Sequence, residues 1–259
     1  MPETANQGGR RNLSKSIIIL GTGNTCVYCD FGWKDGKLDP DSRVYGVNGA
    51  YTIPQIMPPD LRDKFRMHKL FMTDYTWSET GTLNFHPDDI NNFSAKHGTQ
   101  VISLHPHVIG KHSMNEKRYP YRRICAKFHN NYFTDTICYM IAYALDQYTV
   151  EAISAKGTRR LELTEPLTLR FFGVDMCTTL EYYLSKCGIE FWIGQAFALG
   201  CEVQITNGSV LMMHPRGIPY GFRPKKGQSA PDLFGMLRAN EEASRLNQRS
   251  GRRSMEATS

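Results

Sequence analysis

Apolar residues in this chain come in short continuous blocks, each stopped by glycine, asparagine or aspartate, with amphipathic stretches between them. "IIIL", Ile17 to Leu20, is β-branched and ends at Gly21, the pattern of a strand buried on both faces. "RVYGVN" (Arg43 to Asn48), "KLFMTD" (Lys69 to Asp74) and "QVISLH" (Gln100 to His105) repeat that pattern. Between the last two, "HPDDINNFSAKHG" has a proline and acidic residues at its front and a glycine at its end, the start and stop signals of a helix. Strand and helix alternate, which predicts an α/β fold: a Rossmann-like, mainly parallel sheet flanked by helices.

"FTDTICYMIAYALDQ", Phe133 to Gln147, is apolar on nearly every face and offers Thr134 or Asp135 as an N-cap, so it reads as a helix buried against the sheet. Next, "TVEAISAKGTRRLELTEPLTLRFFGVDM" predicts a hairpin turning at Lys156-Gly157, then an apolar strand closed by Gly173 and Asp175. A helical stretch from Leu180 to Leu199 and a strand at "CEVQI" follow. The expected organisation of the 259 residues is a flexible tail (1–15), one Rossmann-like nucleotide-binding domain with a β-hairpin insertion (16–228), and a polar C-terminal helix and tail (229–259). No apolar run approaches the roughly 18 to 20 residues of a membrane helix, and the first fifteen residues lack the apolar stretch of a secretory signal. A cytoplasmic protein is expected.

Charge changes this picture little. The formal net charge is +6, but residues 1–15 contribute +3 and −1 and residues 238–259 contribute +5 and −3, leaving +2 for the body. The exception is "KHSMNEKRYPYRRICAK", Lys111 to Lys127, with six basic side chains against one acidic. Here Arg118, Arg122 and Arg123 interleave with Tyr119 and Tyr121, a pattern that suits phosphates or a DNA strand, or else a solvated loop. Seven scattered cysteines fit free buried thiols in a reducing compartment. Cys26 and Cys29 form a CxxC without the second pair that a zinc site needs.

The candidate chemistry begins at "GTGNT", Gly21 to Thr25. A strand ending in Gly-x-Gly before a helix turns backbone N–H groups and the helix's positive end toward a ligand, which suits phosphate. The dinucleotide fingerprint is incomplete: Cys26 holds the third glycine position, and the second strand ends in Asn48 instead of the carboxylate that binds NAD ribose. A tight turn with no ligand is the plainer alternative. Asn24, Thr25 and Asn48, at the carboxyl ends of neighbouring strands, suit a nucleobase or ribose and point to a nucleotide other than NAD. With Gly21 and Gly23 they form the expected nucleotide site. On this reading Gly23→Val weakens nucleotide binding while the fold survives.

The order "IIILGTGNT", "VYGVNGAY", "FTDTICYMIAYALD" and "FFGVDM" resembles the bacterial sialyltransferases that modify lipooligosaccharide and the related motility accessory factors. Its "GVN", "GVDM" and following "EY" (Glu181, Tyr182) resemble still more closely a group of bacteriophage proteins of unassigned role. The likeness spans roughly Ile17 to Ile205 and implies a nucleotide-sugar donor held by Gly21, Gly23, Asn24, Thr25 and Asn48, with basic or tyrosine residues on its phosphates. The implied activity is sugar transfer to a hydroxyl acceptor, a glycan or a modified DNA base. The sialyltransferases carry a catalytic histidine in the segment that "EFWIGQAF" resembles, where this chain has Gln195, which has no titratable proton. Candidate bases are therefore Asp74, Asp175, His105 and His107. Asp74 or Asp175 could equally hold a divalent metal on a diphosphate, or cap the following turn; the two histidines are also readable as metal ligands or as solvated side chains. The alternative function is a non-catalytic nucleotide-binding or phage accessory protein with the same fold. The loop "HPRGIPYGF", His214 to Phe222, reads as a lid or an ordinary turn.

Overall fold

The computed structural model describes residues 14–57, 59–73, 85–104, 115–176 and 180–213. The elements that position the site are strands β1 (Lys15–Leu20), β2 (Ser42–Val47), β3 (Lys69–Met72), β4 (Gln100–Ser103), β5 (Glu116–Arg118), β6 (Thr149–Ile153), β7 (Arg159–Leu163), β8 (Leu167–Phe172) and β9 (Glu202–Ile205). The principal helices are α1 (Pro87–His97), α2 (Tyr121–Phe128), α3 (Thr136–Tyr148) and α4 (Leu180–Ala198). The fold is α/β and Rossmann-like: among the described residues one seven-stranded sheet runs β9-β8-β1-β2-β3-β4-β5, and every pairing in it is parallel. Strands β6 and β7 form a separate antiparallel hairpin, with Gly157 at φ +76° in its turn, as the Lys156-Gly157 signal predicted.

The sheet is covered on both sides, which explains why its strands lack alternation. Ile17 and Ile19 pack with Phe71, Leu169, Phe171 and the α3 and α4 side chains Ile141 and Trp192. Ile18 and Leu20 pack on the other face with Val44, Leu70, Met72 and the α1 side chains Ile90 and Phe93. Ile17 through Leu20 are all fully buried, and each such side chain contributes about 1.5–3 kcal/mol. Helix α1 obeys its sequence signals: proline at its start, Asp88 and Asp89 in its first turn, Lys96 and His97 in its last, and Gly98 at φ +64° ending it. Helix α3 is capped by Asp135, whose Oδ1 accepts the Ile137 N–H at 2.7 Å.

One expectation fails locally, and one strand carries no sequence signal. No α-helix follows the glycine loop; Asn24–Tyr28 is a 3-10 segment, and Phe31 (φ +50°) with Gly32 (φ +82°) turns the chain away into a small hairpin. Consecutive left-handed residues cannot continue a right-handed helix. Strand β5, inside the basic cluster, carries no apolar signal because it lies at the sheet edge with an exposed Lys117 and Arg118. The expected 229–259 helix lies outside the described residues.

Candidate functional site

Strands β1 through β5 run outward in one direction; α2 and α3 then bring the chain back so that β8 lies on the other side of β1. The loops after β1 and β8 therefore diverge at a topological switch point, where open α/β sheets leave a crevice at the carboxyl edge. A cleft of about 260 Å3 lies there. Its walls are Gly21 to Gly23 after β1, Val47 to Gly49 after β2, Asp135 to Ile137 at the start of α3, and Gly173 to Met176 after β8. Phe85 closes one side.

The two glycine loops are fastened to each other. Gly21 N–H donates to Phe172 O and Gly23 N–H to Gly173 O, both at 2.8 Å, continuing the β1–β8 ladder beyond the strands. Thr25 is the buried pin. Its N–H donates to Asp175 Oδ2 at 3.1 Å, its hydroxyl donates to Asp175 Oδ1, and the same hydroxyl accepts the Gly173 N–H at 2.8 Å. Gly173 is at φ +66°, and a Cβ there would stand 2.5 Å from Gly21 O. A Cβ on Gly23 would stand 2.6 Å from Asp175 Oδ2 and 2.8 Å from Gly173 O. The glycines are thus required by backbone packing against backbone. The N–H groups of Gly21, Gly23 and Thr25 are engaged inside the protein, and a side chain at position 23 meets Asp175 and the Gly173 carbonyl, so the expected survival of the fold in Gly23→Val has to absorb that crowding.

Gly21, Gly23, Asn48 and Asp175 are brought together on the cleft wall. Asn48, at φ +25°, leaves the strand ladder and donates from Nδ2 to Thr136 Oγ1 at 3.4 Å; Thr136 Oγ1 also hydrogen-bonds Thr73 Oγ1 at the end of β3. Thr25 lies behind the wall, and Asn24 is exposed on the 3-10 segment beside it. Asp74, His105 and His107 lie outside the described residues, as does the 214–222 loop.

The basic cluster is dispersed. Arg118 ends the edge strand β5, and Arg122 is exposed on α2. Arg123 and Lys127 both pair with the buried carboxylate of Asp146. Asp146 is ten residues along α3 from Thr136, about 15 Å from the cleft at 1.5 Å per residue. Gln195 is also remote. Helix α4 leaves the carboxyl edge after β8, so Gln195, fifteen residues beyond Leu180, lies about 22 Å down the helix and off the cleft.

Sequence reasoning missed the cleft-facing role of Asp135, Thr136 and Ile137. "FTDT" announced a helix cap, but not which loops that cap would face. Among the described residues the cleft carries two carboxylates, Asp135 and Asp175, and no basic side chain, with Val47, Ile137, Val174 and Met176 as its apolar surface. Cys26 and Cys29 are buried near the loop; burial pushes both thiols up, Cys29 to about 12, which leaves them unreactive. Among the described residues no cluster of metal-ligating side chains is present, and no helix is long and apolar enough to cross a membrane.

Fold and cleft together define a Rossmann-like α/β domain with a ligand-sized crevice at its switch point. No protein-family model and no curated protein matches the chain. Among solved structures it aligns with an apo α-2,3-sialyltransferase from Campylobacter jejuni, at 13% identity and a TM-score of 0.39, over 85% of this chain and 88% of that one. A likeness this distant carries no argument about the site, and the phage likeness rests on the quoted motifs alone.

Proposed function

We propose that the switch-point cleft binds the nucleoside end of a nucleotide-sugar, and that the chain transfers the sugar to a hydroxyl acceptor. The observation that carries the reading is the composition of the cleft: an apolar surface for a base, the Asn48 amide, and two carboxylates, acceptor groups of the kind that suits ribose or sugar hydroxyls. The amino end of the thirteen-residue helix α3 faces the same space, with its positive end already met by the Asp135 carboxylate, which suits the uncharged nucleoside end of the ligand. Asp175 lines the cleft and is the described candidate for taking the acceptor proton, with Asp74, His105 and His107 as the other candidates.

One observation favours a second reading, a non-catalytic nucleotide binder. Asp175 already accepts from both Thr25 donors and holds two loops together, a positioning role that needs no proton transfer. A panel of nucleosides and nucleotide-sugars, with and without Mg2+ or Mn2+, separates the readings. Thermal stabilisation by a nucleotide-sugar, followed by transfer to an offered glycan or DNA acceptor, supports the transferase. Stabilisation without turnover supports the binder. No stabilisation at millimolar ligand overturns both.

A further inference from the structure

At the opposite, amino edge of the sheet a second cavity of about 330 Å3 lies beside the starts of β2, β3 and β4. Arg43, His68, Lys69 and Gln100 line it, with Gln147 and Tyr148 from the end of α3. Every one of these side chains carries a hydrogen-bond donor. Val44 N–H donates to His68 Nδ1 at 2.9 Å, which leaves Nε2–H as that ring's donor. Lys69 donates to Gln100 Oε1 at 2.8 Å and lies 5.5 Å from the Tyr143 ring centroid, and among the described residues Arg43 reaches the carbonyls of Pro40 and Ser42. Neither cation has a carboxylate partner among the described ion pairs.

The positive charge here is felt by its own members. Burial, with Arg66, Arg43 and Lys69 nearby, lowers His68 to about 4; burial and Lys117 lower Lys69; burial and Arg43 lower Arg66. Of the carboxylates at this end, Asp41 is held by Lys15 and, with Glu165, acts on Tyr148; Asp39 acts on Arg66; and Asp146, which accepts from Gln147 Nε2 at 3.4 Å, is paired with Arg123 and Lys127. Two cations that share a cavity, Arg43 and Lys69, with no described carboxylate paired to either, are relieved by an anion.

We propose that this amino-edge cavity is a phosphate-binding site, distinct from the switch-point cleft, in which Arg43 and Lys69 hold the phosphoryl oxygens and His68 Nε2–H, Gln147 and Tyr148 complete the shell. The test is thermal unfolding of the full chain in inorganic phosphate, in glycerol 3-phosphate, and in sodium chloride at matched ionic strength. Phosphate is expected to raise Tm by about 3 °C or more over chloride. A larger response to glycerol 3-phosphate identifies a phosphomonoester as the ligand. Lys69→Met removes a cation, and Gln147→Glu sets a carboxylate at an exposed lining position that tolerates it. Both are expected to weaken the phosphate response at least ten-fold, while Lys156→Gln, exposed in the β6–β7 turn, keeps it. Should Lys69→Met fail to fold, Gln147→Glu carries the test. A chloride response equal to that of phosphate, or Gln147→Glu behaving as the parent, overturns the proposal.

Discussion

Replacing Thr25 by valine keeps the volume of the side chain and removes one oxygen that serves two buried partners. Gly173 N–H loses its acceptor, and the Asp175 carboxylate loses one of its two donors from Thr25. A buried group left without its partner costs about 1–3 kcal/mol, and a charged one sits at the upper end, so the expected loss is about 2–5 kcal/mol. With a urea m-value of about 3 kcal/mol/M, the unfolding midpoint falls by about 1 M. Thr25→Ser keeps the hydroxyl and is expected to lose less than about 1 kcal/mol. Equilibrium urea unfolding followed by circular dichroism measures both variants, and nucleotide-sugar binding is read on the same proteins. Because the pin joins the β1 and β8 loops, binding falls in Thr25→Val even where the protein is still folded. The reasoning is refuted if Thr25→Val lies within about 0.5 kcal/mol of the parent, or if serine is as damaging as valine.

Gly23→Ala places a Cβ against Asp175 and the Gly173 carbonyl, and is expected to lower the urea midpoint and cleft binding together; a variant that loses binding at unchanged stability would contradict the packing role. His68 has a folded pKa near 4, below its unfolded value of about 6.5, so the stability it contributes is present above pH 6.5 and is lost as pH falls toward 4. After allowance for solvent screening that amounts to about 1–2 kcal/mol. Stability measured between pH 4 and 7 should show a flatter slope in His68→Asn, whose amide oxygen can still accept the Val44 N–H. Gln195→His restores the residue type found in the sialyltransferases, yet its place far along α4 predicts unchanged ligand binding and turnover; a gain in transfer rate would show that the cleft has been misassigned. Arg123→Gln should leave nucleotide affinity and its salt dependence unchanged, because that guanidinium already pairs with Asp146 at the far end of α3.

Local sequence determined the strands and helices, because the signals that set them act within a few residues. Ile17 to Leu20 need burial on both faces whatever surrounds them; Pro87, Asp88 and Gly98 delimit a helix by backbone chemistry; Gly157 makes a turn. The same is true of Asp135 as a cap. What each loop holds was decided by tertiary structure. "GTG" reads as a phosphate cradle on the assumption that its N–H groups are free, and the parallel pairing of β1 with β8, 152 residues apart at Lys15 and Leu167, engages those of Gly21 and Gly23. The pairing of Thr25 with Asp175 across 150 residues, the return of α3 that sets Asp135 and Thr136 on the cleft, and the removal of Gln195 and Arg123 from it are likewise consequences of strand order. Periodicity reports which face of an element is buried, but it holds no information about which strand lies next to which. A site at a switch point is made by that adjacency.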